Sequence, residues 1–409
     1  MKKRHILFIL VLCMILLTGA CFARAESTSE AFDTIFSDPQ ISAMIDAAAE
    51  EAREVGWSEL CIPFSAHHIG NEAISENALA VGKKLIDAGY QAYLTGGAVR
   101  DMILGTAVSD FDIASDAPQE LWETLFGDAL SLHNVESSDL LFGVVKCNGE
   151  GIDLAPLQNI PAFYRGRPGV PETDPDSPIS DSPLYDSYGR DLTINAMYYD
   201  LSNGDILDYH GGLRDIQDKV LRTIGDPIVQ LGNGPSEMIR YIRFHARYEG
   251  SSFAPELEAA LEEHHLDYAR LMAPLNAQNQ LRRLWINGYA VACFDLMQDY
   301  GLVGYFYRPV AELCDTEAYQ TEVRAALGAL DAAYAGGESV KTYQGTAALL
   351  LPAGRERLKT MELDAAVESL LKEMDPVYGF YGSERDDTAQ CLRELLSAEQ
   401  QDGAGDEAA

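Results

Sequence analysis

Asp110 and Asp112 stand two residues apart in SDFDIASD, with Phe111 between them. Side chains alternate faces along a strand, so the two carboxylates share one face while Phe111 turns into the core. Paired carboxylates repel unless a cation lies between them, and Mg²⁺ carrying a substrate triphosphate is a hard cation suited to that place. Upstream, Gly96 and Gly97 precede Val99, Arg100 and Asp101. Glycines before a helix let backbone N–H groups approach phosphate oxygens, and the helix start adds a favourable dipole. The planar fork of Arg100, just inside that helix, can clamp the same phosphates. A third carboxylate, Asp153 in GIDLAPL, could complete the metal site from a neighbouring strand. Taken singly, these signals have plainer readings as an exposed strand edge, a tight turn and an exposed strand residue.

The elements that must position these residues follow from periodicity. Asn77 to Gly89 predicts an amphipathic helix with Leu79, Val81, Leu85 and Ile86 inward, followed by a short strand from Gln91 to Leu94. Strand-like runs recur at Asp110 to Ala114, Leu141 to Lys146, Gly151 to Leu157 and Ala196 to Asp200. Alternation of strands and helices implies an α/β or α+β unit. Pro161 to Asp186, rich in Pro, Asp, Ser and Gly, predicts a mobile loop. GRDLTINAMYYD places Arg190 and Asp191 at a helix or turn entry, with Thr193 and Asn195 available as caps. Beyond Pro235 the pattern is almost wholly helical and ends in an acidic, solvated tail. SAHHIG is expected to be a loop; its adjacent histidines, His67 and His68, do not share a helix face and make a poor metal pair.

At 409 residues and 47% hydrophobic, the chain can bury a sizeable core. Lys2, Lys3 and Arg4 precede an apolar run from Ile6 to Leu17, the pattern of an export signal. Two processing routes fit: a lipobox-like Thr-Gly-Ala-Cys ending at a lipidated Cys21, or cleavage after Ala25. Either product would be a secreted, periplasmic or cell-surface protein, touching membrane only through this signal or lipid. Loss of the four basic residues in this segment would take the formal charge from −34 to −38. So acidic a surface disfavours passive attraction to nucleic acid or anionic lipid. The cysteines beyond Cys21, at 61, 147, 293, 314 and 391, show no CxxC or Cys/His metal spacing.

The ordered stretches AGYQAYLTGGAVRDMILG, SDFDIASDAPQE, FGVVKCNGEGIDL, RDLTINAMYYDLSNGDILDYHGGLRDIQDKVLRTIGDP and MIRYIRFHARYEG resemble the class II tRNA nucleotidyltransferase (CCA-adding enzyme) and bacterial poly(A) polymerase family. Weaker likeness continues through RLMAPLNAQNQLRRLW and ACFDLMQDYGLV. The resemblance implies an α+β chain, with a DNA polymerase beta-like nucleotidyltransferase head built on a small mixed sheet and an all-helical neck and body behind it. It suggests residues 1–25 as signal, 26–76 as an N-terminal extension and 77–228 as the head. A neck with RNA-binding character (229–310), a helical body (311–396) and the acidic tail (397–409) would follow. Catalytic Asp110, Asp112 and Asp153 are expected, with Mg²⁺ held by Asp110 and Asp112. Gly96, Gly97, Arg100, Arg190, Asp191, Asn195, Arg240 and Arg243 would face the nucleotide. The implied reaction is attack of an RNA 3′-hydroxyl on the α-phosphate of ATP or CTP, releasing pyrophosphate.

Departures from the family pattern are equally specific. Its Arg-Arg-Asp is Gly189-Arg190-Asp191 here, and its base-reading Glu-Asp-x-x-Arg aligns with Asn233-Gly234-Pro235-Ser236-Glu237. Gly234 and Glu237 cannot reproduce an Asp and Arg paired on a base edge, so base discrimination should weaken. From His245 to Ala409 there are 13 Lys plus Arg against 28 Asp plus Glu, a poor surface for tRNA, so an RNA 3′ end is a disfavoured acceptor. Two readings stand: a nucleotidyltransferase of relaxed specificity, or an exported member whose head is kept as an interaction module.

Overall fold

The computed structural model describes residues 30–134 and 141–406; the signal segment with Cys21 and Ala25 lies outside them. The described residues divide into two compact units, a head (Ala25–Asn233 with Gly250–Leu257) and a helical unit (Gly234–Glu249 with Glu258–Ala409).

The head is built on an eight-stranded mixed sheet. Its strands are β1 (Leu60–Ile62), β2 (Ala92–Thr95), β3 (Asp112–Ser115), β4 (Leu130–Asn134), β5 (Leu141–Cys147), β6 (Glu150–Pro156), β7 (Met197–Asp200) and β8 (Ile206–Asp208), ordered β1-β8-β7-β2-β3-β6-β5-β4. Every pairing is antiparallel except β3 with β6, where Asp112 lies opposite Asp153. The helix Glu76–Asp87 buries Ala78, Val81 and Leu85, and Ser75 caps it by accepting from the Ala78 N–H. Ile113, Val145, Ile152, Leu154 and Trp122 are buried in the head core.

Residues left without a role by sequence reasoning turn out to belong to this sheet. Strand β1 pairs antiparallel with β8, and the helix Pro39–Val55 before it docks through the Asp46–Arg214 and Arg53–Asp215 ion pairs. The first half of the SAHHIG stretch belongs to a short helix, Phe64–His67, and the chain leaves it as a loop from His68 to Gly70. Its His67 is buried, with Nε2 against the Gly204 carbonyl at 2.9 Å and Nδ1 accepting from the Ile69 N–H at 3.0 Å. Both ring nitrogens are thus occupied by backbone.

The expectation of a mobile loop at Pro161 to Asp186 is also revised. Asn159 donates to the carbonyls of Asp174 and Ser177, both at 2.8 Å, while Arg165 reaches the carbonyls of Ile160 and Pro175. These long-range side-chain bonds hold a segment whose composition, taken locally, lacks regular structure.

The helical unit packs Trp285, Phe294, Phe306, Tyr307 and Tyr378 in its core, and the Trp285 indole donates to the Tyr307 hydroxyl at 3.1 Å. Helix Glu384–Asp406 runs into the stretch expected to be a solvated acidic tail. Among the described residues, no helix is long and apolar enough to cross a membrane, and Cys61, Cys147, Cys293, Cys314 and Cys391 are all free thiols.

Candidate active site

Gly96 ends β2 in a backbone conformation, φ 70°, that residues with a Cβ rarely adopt. A Cβ added there would stand 3.7 Å from the Asp112 carboxylate oxygen. The turn therefore lies against the acidic pair, and the helix Gly97–Leu104 starts directly after it. The first N–H groups of a helix have no partner within it and suit phosphate oxygens.

Strand register assembles the three carboxylates. Asp112 faces Asp153 across the parallel β3–β6 pair, and the Asp153 N–H donates to the Phe111 carbonyl at 3.1 Å, extending the ladder toward Asp110. Partial burial pushes the Asp153 carboxyl above the usual carboxylate range, and the nearby charge of Asp110 adds to this; His133 and a hydrogen bond with Asp112 oppose it. Asp110 is exposed and accepts from the Ser109 hydroxyl at 3.0 Å. Like-charge crowding of this kind is what a bound cation relieves.

The arginine expected at the phosphates lies beside the glycine turn, its Nη2 3.2 Å from where a Cβ on Gly97 would stand, and is bonded within the protein. Arg100 is 3% exposed, its Nε donates to Asp101 at 2.9 Å, and its Nη1 donates to Asn195. Asn195 in turn donates to Asp191 at 3.0 Å. One buried network thereby ties together four residues of two quoted motifs, and its evident effect is to fix the helix behind the glycine turn. Arg190 is 22% exposed at its side chain; it donates to the buried Asp186 at 2.6 Å and lies 5.8 Å from the ring of Tyr198, whose hydroxyl donates to the same carboxylate. Sequence reasoning missed Asp186 and Tyr198 because the first sits at the end of the stretch expected to be mobile. Arg240 and Arg243 lie on the helix Glu237–Arg247 of the helical unit, each guanidinium over Phe244, at 5.4 and 5.3 Å.

The DYHGGLRDI stretch is structural. Asp208 is buried and accepts from the N–H groups of His210, Gly212 and Leu213, at 3.1, 3.0 and 2.8 Å. Gly212 has no room for a side chain, since a Cβ would stand 2.3 Å from the Thr193 carbonyl oxygen.

Residues 92–222 match the model of the poly(A) polymerase head domain. The chain is 35% identical over 199 residues to poly(A) polymerase I of Escherichia coli O6:H1, covering 48% of this chain and 42% of that protein. It is 33% identical over 190 residues to the CCA-adding enzyme of Bacillus subtilis, covering 46% and 45%. Over its head the chain is thus similar to the poly(A) polymerase and CCA-adding enzyme family. It spans under half the length of these curated relatives. The fold agrees with that of the Thermotoga maritima CCA-adding enzyme complexed with tRNA, with a TM-score of 0.56 at 17% identity, over 83% of this chain and 85% of that one. A tRNA-processing enzyme in an apo form is similar at a TM-score of 0.57 and 21% identity, over 80% of each chain. The α+β architecture expected from sequence is the one observed, and within the family match Gly96, Asp112 and Asp153 converge as described.

Proposed function

We propose that this protein is a nucleotidyltransferase with relaxed base selection, moving a nucleoside monophosphate from ATP or CTP to an RNA 3′-hydroxyl. The observation that carries this reading is the Asp112–Asp153 register pair with Asp110 beside it, set against the Gly96 turn. Among the described residues, no group of three or more His, Cys, Asp or Glu is arranged to enclose a metal ion. Mg²⁺ commonly takes only one or two carboxylates and completes its shell with water and substrate phosphates. Asp110 and Asp112 would hold it; a pair of such ions neutralises phosphate charge and aligns attacking and leaving oxygens.

The chain's own residues do the rest. Helix-start amides beside Gly97 take the triphosphate, the Arg100–Asp101–Asn195 network keeps that helix in place, and Asp153 orients the acceptor hydroxyl. The acceptor oxygen bonds to the α-phosphorus, the bond from α-phosphorus to the bridging oxygen breaks, and pyrophosphate leaves with the electron pair. The hydroxyl proton passes to a carboxylate of this face.

The N-terminal signal supports export, and the relatives' names, which speak of poly(A) and CCA addition, support an RNA acceptor. A second reading, an exported head kept as an interaction module, is favoured by the altered base-reading element. There Glu237 accepts from the Tyr241 hydroxyl at 2.8 Å, and a Cβ on Gly234 would stand 2.9 Å from Glu237 Oε1. Incubating residues 26–409 with Mg²⁺, each labelled NTP and RNA acceptors separates the two. Label transfer abolished by Asp110→Ala/Asp112→Ala supports the enzyme, whereas absence of both transfer and calorimetric NTP binding eliminates it. Fusing the first 30 residues to a periplasm-dependent reporter tests export, and a silent reporter removes that part of the reading.

A further inference from the structure

Strand register puts one more group on the acidic face. On β6, Asp153 lies opposite Val144 of β5, and Gly151 lies opposite Lys146. Directly paired residues share a face, and so do residues two apart on one strand, so Lys146 stands on the face that carries Asp153 and Asp112. The β3–β6 ladder begins at Asp112 opposite Asp153, and Asp110, just before the strand, lies near enough to Asp153 for its charge to act on it. Gly151 therefore lies between Asp153, two residues along its own strand, and Lys146, opposite it on β5. Gly151 leaves the middle of that row bare, and a Cβ placed on it would come 3.1 Å from Val144 Cγ1. The result is a notch walled by carboxylates on one side and by an ammonium on the other. Among the described residues, Lys146 is the one cation that register assigns to this face of β3, β6 and β5, in a chain of formal charge −34. It is exposed and makes no ion pair with a described residue.

Direction assigns the notch to a ligand. The Gly96 turn approaches Asp112 from the β2 side, whereas β6 and β5 extend the other way. In phosphoryl transfer the attacking and leaving oxygens lie roughly in line through the phosphorus. With the triphosphate tail toward Gly96, the attacking hydroxyl enters over β6. We propose that Lys146 is the positioning residue for the acceptor, pairing with a backbone phosphate of a single-stranded RNA 3′ end laid in the Gly151 notch. This rests on the nucleotidyltransferase reading and names how its acceptor is held. A compact ammonium on a flexible stem suits a phosphate whose position shifts as the strand lengthens. It also accounts for RNA use by so acidic a chain: one cation at the reacting end replaces a broad basic surface.

The test compares the wild-type chain with Lys146→Ala and Lys146→Arg in steady-state transfer and in fluorescence anisotropy with a short labelled RNA oligonucleotide. Lys146→Ala should raise KM for the RNA by about fivefold to tenfold at low salt, with KM for the NTP unchanged, and Lys146→Arg should restore most of it. The slope of log affinity against log salt for the oligonucleotide should fall in magnitude by about 0.7, the value for one lost contact to a single strand. An unchanged acceptor KM and salt slope in Lys146→Ala would overturn the proposal, as would a rise in the NTP KM alone, or no RNA binding by wild type. RNA binding that depends on Lys146, without any transfer, would instead overturn the enzymatic reading and leave this assignment standing.

Discussion

In the head, several charged side chains are buried and bonded to partners far away in sequence; in the helical unit most ion pairs lie at the surface, and Glu384 is the buried carboxylate, accepting from the Thr342 hydroxyl. Arg100 and Asp101 are 3% and 4% exposed and join Asn195. Asp215 is 1% exposed and takes a hydrogen bond from Thr193 as well as the Arg222 guanidinium. By contrast, Arg355 bridges Glu322 and Glu399 in the helical unit with all three side chains at least 36% exposed. Burying a charge without its partner is costly, whereas exposed pairs are screened by water and contribute little. The contrast teaches that the head uses polar residues to fix geometry and the helical unit uses them for solvation.

Four tests sharpen or break that comparison. Arg100→Ala should cost the most, about 3 to 5 kcal/mol, because it leaves the Asp101 carboxylate buried without this cation. Urea unfolding measures it, and a loss below 1 kcal/mol would mean the network is not a structural tie.

Next comes a pH effect confined to the head. His210 is buried beside the Ser187 hydroxyl at 2.8 Å, and burial lowers its pKa from 6.5 to about 4. The unfolded chain therefore binds the proton first as pH falls, so stability from this group is present above pH 6.5 and is lost toward pH 4. The loss should approach about 3 kcal/mol, and His210→Gln should flatten that part of the wild-type curve of urea midpoint against pH.

Restoring the family's base-reading pair gives the third, a smaller effect on activity. Gly234→Asp alone would set a carboxylate against Glu237 and should lower stability by about 1 kcal/mol. Gly234→Asp combined with Glu237→Arg should instead improve discrimination among NTPs by about tenfold to a hundredfold, seen in competition assays. Discrimination unchanged in the double variant would show that the alignment of Asn233 to Glu237 is wrong. The smallest expected effect is Arg355→Ala, under about 1 kcal/mol in the same unfolding assay.

Local chemistry made part of the site legible. A spacing of two put Asp110 and Asp112 on one face because strands have period two, and Gly96-Gly97 between a strand and a helix marked the turn. The helical pattern expected beyond Pro235 matches a unit of helices that includes Glu237–Arg247 and Ala290–Asp299. The helix Thr342–Leu358 has a weaker local signal, since it contains Pro352 and its buried residues do not form a single stripe.

What sequence alone determined, then, is the set of chemical groups and their local direction: the paired carboxylates, the glycine turn and the helical runs. Tertiary structure decided which distant groups join them. Asp153 meets Asp112 only because β3 and β6 pair in parallel, and Lys146 reaches the same face only through the β5–β6 register. Arg100 faces inward to Asn195, 95 residues away, and β1 closes onto a strand that comes far later in the chain. Side-chain period is a property of a few consecutive residues, whereas register and burial are set by packing between segments far apart in sequence.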